Sequence, residues 1–397
     1  DIPMHKRELC DGIEVIANVD WNRRLFDSLI PLPDGTSYNS YIVHGSEKTA
    51  VIDTADPRLS DGFLTELDSL DTVDFVVSNH SEQDHSGLIP AVLEKFPTAT
   101  LLCSEKAEDL LITHLGVEPG RVRAVKDGEK ISLGDKTLEF IYTPWVHWPE
   151  TMSTYVPEDK VLFSCDFFGS HLATTDLFVR DKARVYEAAK RYYAEIMMPF
   201  RRIVTRNLKR LDEYEIGTIA PSHGPAYDEP AFIVDAYRDW VSETAKNEVV
   251  LPYVSMHGST KMMVDYLIDR LAARGVTVYP FELSVADIGQ LAIRLVDAAT
   301  LVVATPTFHV GSHPAVYYAA HLANLLKPKL KYAAMISSYG WNSKAFEQLT
   351  DLIPHLKVEV LGTILQKGEP VGETYEELDA LAAQIADAHE KDETVHG

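Results

Sequence analysis

The residues with the clearest capacity for chemistry are His80-Ser81-Glu82-Gln83-Asp84-His85. His80, Glu82, Asp84 and His85 are all potential metal ligands, and they follow a short Val- and Phe-rich run, Val73 to Ser78. A loop leaving a strand can turn such side chains toward one point, and imidazoles grouped with carboxylates are a donor set for a cation. Three further candidates also follow strand-like runs. They are His147 in Pro144-Trp145-Val146-His147-Trp148-Pro149, Asp166 after Val161 to Cys165, and His223 in Ala220-Pro221-Ser222-His223-Gly224. Taken singly, a His among aromatic residues is an ordinary packed side chain, and an Asp after a strand is an ordinary cap or turn residue. Together the seven are too many for one metal and suit two metals sharing a carboxylate. Four imidazoles with three carboxylates favour iron or manganese over zinc.

A second constellation lies further on. Ser255-Met256-His257-Gly258-Ser259-Thr260 follows one expected strand and opens an expected helix. Backbone N–H groups, hydroxyls and a helix N-terminus together suit a phosphate. The segment is not a dinucleotide GxGxxG, and no Walker motif is present. Thr305-Pro306-Thr307-Phe308-His309 and Ser338-Tyr339-Gly340-Trp341-Asn342 close two later strand-like runs. Ligands of open α/β sheets sit at the carboxyl ends of the strands, so these three loops are expected to hold a phosphate and the two sides of an aromatic ring system.

The elements that must position these groups change texture near residue 248. Before it, strands are expected at Val73 to Ser78, Thr100 to Cys103, Leu138 to Thr143, Met152 to Val156 and Val161 to Cys165, with helices at Ser104 to His114, Lys182 to Met198 and Ala231 to Ala245. After it, strands are expected at Val249 to Ser255, Val276 to Phe281, Thr300 to Thr305 and Tyr332 to Ser338. Helices alternate with them at Thr260 to Arg274, between Phe281 and Thr300, and at Ala315 to Leu326, Lys344 to Ile353 and Tyr375 to His389. Such alternation predicts a parallel, doubly wound sheet. A chain of 397 residues exceeds what one core usually serves, and the expected domains are 1–247 and 248–397. The polar tail from Glu390 to Gly397 is expected to fray.

Composition narrows the partners. A formal net charge of −23 repels phosphate backbones and anionic membrane surfaces, so nucleic acid and membrane are not expected partners. No apolar run approaches the ~18 residues of a membrane span. The stretch Asp1-Ile2-Pro3-Met4-His5-Lys6-Arg7 reads as polar sequence rather than a signal-peptide core, and a cytoplasmic location is expected. Cys10, Cys103 and Cys165 have no CxxC spacing, so neither a disulfide framework nor a built-in iron–sulfur module is expected.

The order His-x-Glu-x-Asp-His, then His, Asp and His, resembles the metallo-β-lactamase-like domain of the flavodiiron proteins. Thr36 to Tyr41 (TSYNSY), His147-Trp148-Pro149 and Phe168-Gly169 also look like signatures of that family. Hydrolytic members of the wider superfamily typically carry His where this chain has Glu82, so the resemblance points to the redox branch. It implies an αββα sandwich followed by a flavodoxin-like domain, an α/β protein throughout. One iron would take His80, Glu82 and His147, the second Asp84, His85 and His223, with Asp166 bridging them. His171 and Tyr193 resemble positions just outside the metal ligands that serve catalysis. Ser255, His257, Gly258, Ser259 and Thr260 match the phosphate loop of bound FMN. Pro306, Thr307, Phe308 and His309, with Ser338, Tyr339, Gly340, Trp341 and Asn342, match the flavin-ring loops. The chain departs from the family near His309 and Val310 and near Asn342 and Ser343, where the family often has Asn and glycines. The resemblance implies reduction of dioxygen to water or of nitric oxide to nitrous oxide, with electrons from rubredoxin or a reduced deazaflavin coenzyme. It also implies a head-to-tail homodimer, or a dimer of such dimers. A zinc hydrolase fused to a flavodoxin, and a pure electron-transfer flavoprotein, are the alternatives from other classes.

Overall fold

The computed structural model describes residues 6–352, 354 and 356–397. Most of the segment Asp1 to Arg7 and the expected helix end at Ile353 lie outside the described residues. Contacts divide the chain into one unit of residues 1–193 and 200–238 and another of residues 194–199 and 239–397.

The first unit is built on two sheets. One has seven strands in the order Lys6–Cys10, Ile13–Asp20, Thr36–His44, Thr49–Ile52, Phe75–Ser78, Thr100–Ser104 and Val122–Val125. The other has five, Lys130–Ser132, Thr137–Tyr142, Met152–Val156, Val161–Cys165 and Thr218–Pro221. Side chains of a strand alternate between faces. Val43, Ile52, Val77 and Leu102 from the first sheet meet Leu138, Phe140, Val161 and Phe163 from the second in one core. Helices Ser60–Glu66, Ile89–Lys95 and Ala107–Leu115 pack against the first sheet. The architecture is the metallo-β-lactamase-like αββα sandwich. The first four strands, down to Thr49–Ile52, were not among the expected elements. The helix expected over Lys182 to Met198 is α-helical only over Lys182–Tyr192, and a π turn at Tyr193–Met197 continues it.

The second unit is a parallel sheet whose main strands run Thr277–Glu282, Ala245–Tyr253, Ala298–Phe308, Tyr332–Tyr339 and Glu359–Lys367. Numbered along the chain this is the order 2-1-3-4-5 of flavodoxin-like folds. Its core joins Val249, Leu251, Val302 and Ile336 to Val264, Leu267, Leu378 and Ile385 of helices Ser259–Ala272 and Gly372–Lys391.

Three expectations change here. Ala245 opens a strand rather than ending a helix, because helix Pro230–Val241 stops four residues earlier. Strand Glu359–Lys367 went unread, since as an edge strand it buries only Ile364 fully and shows no apolar run. The tail does not fray, because Val395–His396 pairs in parallel with Ala245 and Lys246.

Candidate functional site

All seven candidate ligands of the first unit leave strand ends of the sandwich and converge. His80 follows Phe75–Ser78, and the single turn Gln83–Ser86 brings Asp84 and His85 round to the same side. Asp166 follows Val161–Cys165, and His223 follows Thr218–Pro221. Beneath the first segment lies a buried polar network. Asp53 accepts hydrogen bonds from the backbone N–H of Asn79 at 2.8 Å and from its side-chain amide at 3.0 Å. Thr154 donates to Asn79 Oδ1 at 2.8 Å. Burial pushes the Asp53 carboxyl up to about 6.

The seven candidates fall into two groups, His80, Glu82, His147 and Asp166 on one side and Asp84, His85 and His223 on the other, and a third group joins His85 and Asp166 with Cys165, whose thiol burial keeps protonated. Asp166 addresses both of the first two. Its Oδ2 lies 3.4 Å from His80 Nε2 and 3.5 Å from His147 Nε2. Its Oδ1 lies 2.8 Å from His85 Nε2 and 3.4 Å from His223 Nε2. Glu82 Oε2 is 3.1 Å from both His80 Nε2 and His147 Nε2. Asp84 Oδ2 is 3.3 Å from both His85 Nε2 and His223 Nε2. Donor atoms held about 2.1 Å from a cation stand roughly 3.0–3.4 Å from each other in octahedral or tetrahedral arrangements. The separations therefore fit two cations flanking one carboxylate.

Hydrogen bonding supports the same reading. Among the described residues, both oxygens of Asp84, Oδ1 of Asp166 and both ring nitrogens of His85 are buried and none makes a well-aligned hydrogen bond, close as His85 Nε2 and Asp166 Oδ1 are. A buried polar atom left unpaired is costly, and a metal ion is the partner this geometry fits. The rear nitrogens of two other rings are occupied. His80 Nδ1 pairs with Glu150 Oε1 at 2.8 Å, and His223 Nδ1 donates to the Ser37 carbonyl at 2.7 Å. Both contacts direct the Nε2 lone pair inward.

The electrostatics ask for positive charge. Burial opposes a charge on His80, but its hydrogen bonds to Glu150 and Glu82 and the Asp166 carboxylate outweigh that and push the imidazole well above its usual range. Burial likewise opposes a charge on His223, and Asp166 and Asp84 overcome it and raise the imidazole to about 10. Burial raises the Asp166 carboxyl, but His85 and His223 hold it well below the usual carboxylate range. A pocket that would otherwise gather protons on its histidines is one in which metal ions can replace them.

Glu150 was not among the sequence candidates. It is buried, takes the N–H of Ser81 at 3.0 Å and its hydroxyl at 2.6 Å, and is held down at about 2 because its hydrogen bonds from His80 and Ser81 outweigh burial. A carboxylate between two turn residues carries no local pattern, so only its place one residue past His147-Trp148-Pro149 hinted at it. Phe26 was also missed. Its ring centroid lies 5.0 Å from that of His171 and 6.3 Å from that of His223.

His171 sits against this site, with Nδ1 2.9 Å from Thr36 Oγ1 and Nε2 buried without a hydrogen-bond partner among the described residues. Burial, then the neighbouring His223, keeps its pKa well below the ordinary value, so the ring is neutral. Tyr193 packs edge-on against Tyr237 with ring centroids 5.4 Å apart. Its neighbour Tyr192 is the tyrosine that faces the histidines, 4.9 Å from His171 and 5.7 Å from His223 between centroids. Burial and the carboxylates of Asp166, Asp84 and Glu82 hold the Tyr192 hydroxyl protonated.

In the second unit the three candidate loops leave three adjacent strands at their carboxyl ends. Ser255 to Thr260 follow Ala245–Tyr253, Pro306 to Phe308 end Ala298–Phe308, and Ser338 and Tyr339 end Tyr332–Tyr339. The chain order reverses between the first two of these strands, the switch point where such sheets bind ligands. Ser255 Oγ accepts from the N–H of Gly258 and of Lys261, each at 3.2 Å, and so shapes the first loop. Gly258, at φ +99°, precedes helix Ser259–Ala272, and nothing stands within 4 Å of where its Cβ would be. Thr260 Oγ1 is 2.9 Å from Ser338 Oγ, and Thr307 donates to Ser343 Oγ at 2.8 Å, which ties the loops together. His309 and Val310 both have positive φ at the turn that pairs Phe308 with Gly311. Trp341 is 82% exposed beside Gly340 and Asn342. The loop backbones and hydroxyls suit a flavin phosphate at the helix N-terminus and a ring between the other two loops.

A sandwich with a two-metal donor set and a sheet of flavodoxin order define a redox protein of two units. Comparison with known proteins gives its family. The family described as ODP family beta lactamase matches residues 36–224. A protein named nitric oxide reductase from Moorella thermoacetica is 34% identical over 394 residues, 96% of this chain and 98% of the relative. The structure of rubredoxin oxygen:oxidoreductase from Desulfovibrio gigas superposes with TM-score 0.93 at 28% identity, over 97% of this chain and 98% of that one. The flavodiiron protein of Giardia intestinalis does so with TM-score 0.89 at 28% identity, over 96% of each chain. The chain belongs to the flavodiiron proteins and is an oxidoreductase. Among the described residues no helix is long and apolar enough to cross a membrane.

Proposed function

We propose that this oxidoreductase reduces dioxygen to water at a di-iron centre, using electrons relayed through FMN. The observation that carries the reading is the placement of Asp166 between two ligand groups, one oxygen toward each. His80, Glu82 and His147 would hold one iron, Asp84, His85 and His223 the other, and Asp166 both. Bound FMN would supply electrons singly, and two irons with open positions would supply the place where a diatomic gas is reduced.

The chain's own residues do the rest. Glu150 and the Ser37 carbonyl fix the tautomers of His80 and His223, so that each ring offers its lone pair inward. Tyr192 holds a proton at the edge of the site, and His171, neutral, has a free Nε2 to receive or pass one. Reduction of one dioxygen to two waters consumes four protons with four electrons, so such carriers are required. Phe26 and Trp148, whose ring centroid is 5.0 Å from that of His80, keep the pocket dry and raise the strength of its charge interactions. Ser255, His257, Gly258, Ser259 and Thr260 would seat the FMN phosphate. Pro306, Thr307, Phe308, His309, Ser338, Tyr339, Gly340, Trp341 and Asn342 would frame its ring.

A second reading, coupling of two nitric oxide molecules to nitrous oxide and water, is favoured by the name of the Moorella relative. Both reactions use the same ligand set. The electron donor under either reading is a rubredoxin or a reduced deazaflavin coenzyme, in the cytoplasm. A head-to-tail homodimer, alone or in a dimer of such dimers, would bring one copy's flavin to the other's metals.

The test is metal and flavin content of anaerobically purified protein, then stopped-flow mixing of the reduced form with dioxygen and, separately, nitric oxide. Two irons and one flavin per chain with fast reoxidation is the expected result, and the ratio of the two rates names the oxidant. Zinc in place of iron, or flavin that stays reduced with both gases, overturns the proposal in favour of a hydrolase.

A further inference from the structure

We propose that the exposed face of helix Arg201–Leu211, together with Trp145 beside it, is the docking surface for a small acidic one-electron carrier protein. The proposal rests on the reading that the enzyme draws electrons from an external donor.

The helix reads RRIVTRNLKRL, five cations and no acid in eleven residues, within a chain of net charge −23. Arg202, Arg206 and Lys209 are exposed and stand at spacings of four and three, so they form one stripe. Among the described residues none of the three has an ion-pair partner, whereas Arg210 is paired with Asp127 at 3.0 Å. The stripe breaks two local rules. Like charges at such spacing destabilise a helix. Arg202 also lies in the first turn, where the helix has no acidic residue to complement the positive end of the dipole and Phe200 offers no side-chain cap. Local choices that oppose folding without a compensating contact mark functional surfaces.

An apolar anchor adjoins the cations. Trp145 is 39% exposed and stacks on Phe200, with centroids 5.7 Å and planes 25° apart. It is held at φ +61°, a region that bulky residues avoid and that persists where surroundings or function require it. Asn207 of the helix donates to the Pro144 carbonyl at 3.0 Å, fixing helix and loop to each other. Exposed Trp and Arg are the residues most enriched at binding hot spots. Transient electron-transfer complexes are small and steered by charge, which fits a cationic stripe with one aromatic anchor. The loop that carries Trp145 also carries His147, so a partner seated here lies beside the metal site.

The test compares wild type with the triple variant Arg202→Glu, Arg206→Glu, Lys209→Glu, using a reduced acidic rubredoxin as the probe. Its affinity is measured anaerobically by surface plasmon resonance, and its oxidation by the holoenzyme by stopped flow, each over a range of salt. The triple variant is expected to lower both affinity and bimolecular rate at low salt by at least about tenfold and to flatten their salt dependence. Turnover with reduced methyl viologen should not change. A triple variant that binds and oxidises rubredoxin as wild type does would overturn the proposal. So would a variant whose free form changes mass in sedimentation, since the face would then join copies of this chain. If wild type fails to reduce either gas with methyl viologen, the oxidoreductase mechanism falls, yet a tenfold affinity difference would still support this surface.

Discussion

Glu150 Oε1 lies 2.8 Å from Nδ1 of His80, although 70 residues separate the two in sequence. The same oxygen takes the hydroxyl and the N–H of Ser81, so one carboxylate fixes both the ring and the backbone beside it. Glu150→Gln keeps the size and removes the charge. Outer partners of this kind are worth about 10–100-fold in metal affinity. The variant should fold, bind flavin as wild type does, and lose affinity for one of its two metals by about that factor in competition with a chelator. Unchanged affinity at both would mean that His80 is oriented without Glu150.

Asp166 makes a harsher prediction. It is buried and lies within 3.5 Å of histidines of both ligand groups. Asp166→Asn loses the negative charge and leaves an N–H₂ facing imidazole nitrogens on one side. Metal analysis of the purified variant should find fewer than two metals per chain, and gas reduction should fall by at least about a hundredfold, with flavin still bound. An Asn variant that retains both metals and turnover would remove Asp166 from the site and leave the sandwich as a scaffold.

What the sequence disclosed and what it hid follow one physical rule. His80, Glu82, Asp84 and His85 were legible because chemistry crowded into one strand-end loop has few structural explanations. His147, Asp166 and His223 were legible only in that company. Glu150, Phe26 and Tyr192 each enter the site alone from a different element, and nothing near them in sequence marks a contact made across the fold. Tyr192 and Tyr193 differ by one residue, which on a helix turns a side chain by about 100°. That rotation decides which tyrosine meets His171, and no local pattern fixes it. In the second unit the regular alternation gave the parallel sheet, while strand Glu359–Lys367 escaped because an edge strand need not be apolar. The pairing of Val395–His396 escaped because two residues carry no periodicity.

His389 gives a pH dependence to the second unit. It is buried, with Nε2 2.6 Å from Thr300 Oγ1 and Nδ1 2.8 Å from Asn247 Oδ1. Asn247 Nδ2 donates to the Gly275 carbonyl, which leaves Oδ1 as the acceptor, so Nδ1 carries the proton and Nε2 accepts from Thr300. Burial lowers the pKa from 6.5 to about 4. The folded form thus binds fewer protons than the unfolded form between those values. Stability is full above pH 6.5, declines as pH falls, and the contribution is gone once pH has passed through about 4. After allowance for partial solvation the loss is about 2 kcal/mol. Urea titrations of wild type and His389→Gln should show the wild type losing that much more stability between neutral and acid pH. Parallel pH profiles would show that His389 is not held neutral.

The last prediction concerns the loop before helix Ser259–Ala272. A Cβ on Gly258 would meet no atom within 4 Å, so Gly258→Ala creates no clash. What remains is φ +99°, which a side chain disfavours by about 1–2 kcal/mol. The loop can relieve that strain by rotating its peptides, but Ser255 Oγ would then lose the N–H of Gly258 and the approach to the helix N-terminus would change. If the loop's sole task were to connect strand and helix, the variant would be slightly less stable and bind flavin normally. If it cradles a phosphate, the backbone must keep its present shape, and the same strain should appear as weaker flavin binding, about tenfold. Fluorescence titration of flavin-free protein with FMN and with riboflavin separates the two cases. Under the phosphate reading the variant loses affinity for FMN and not for riboflavin, and equal losses for both would place the phosphate elsewhere.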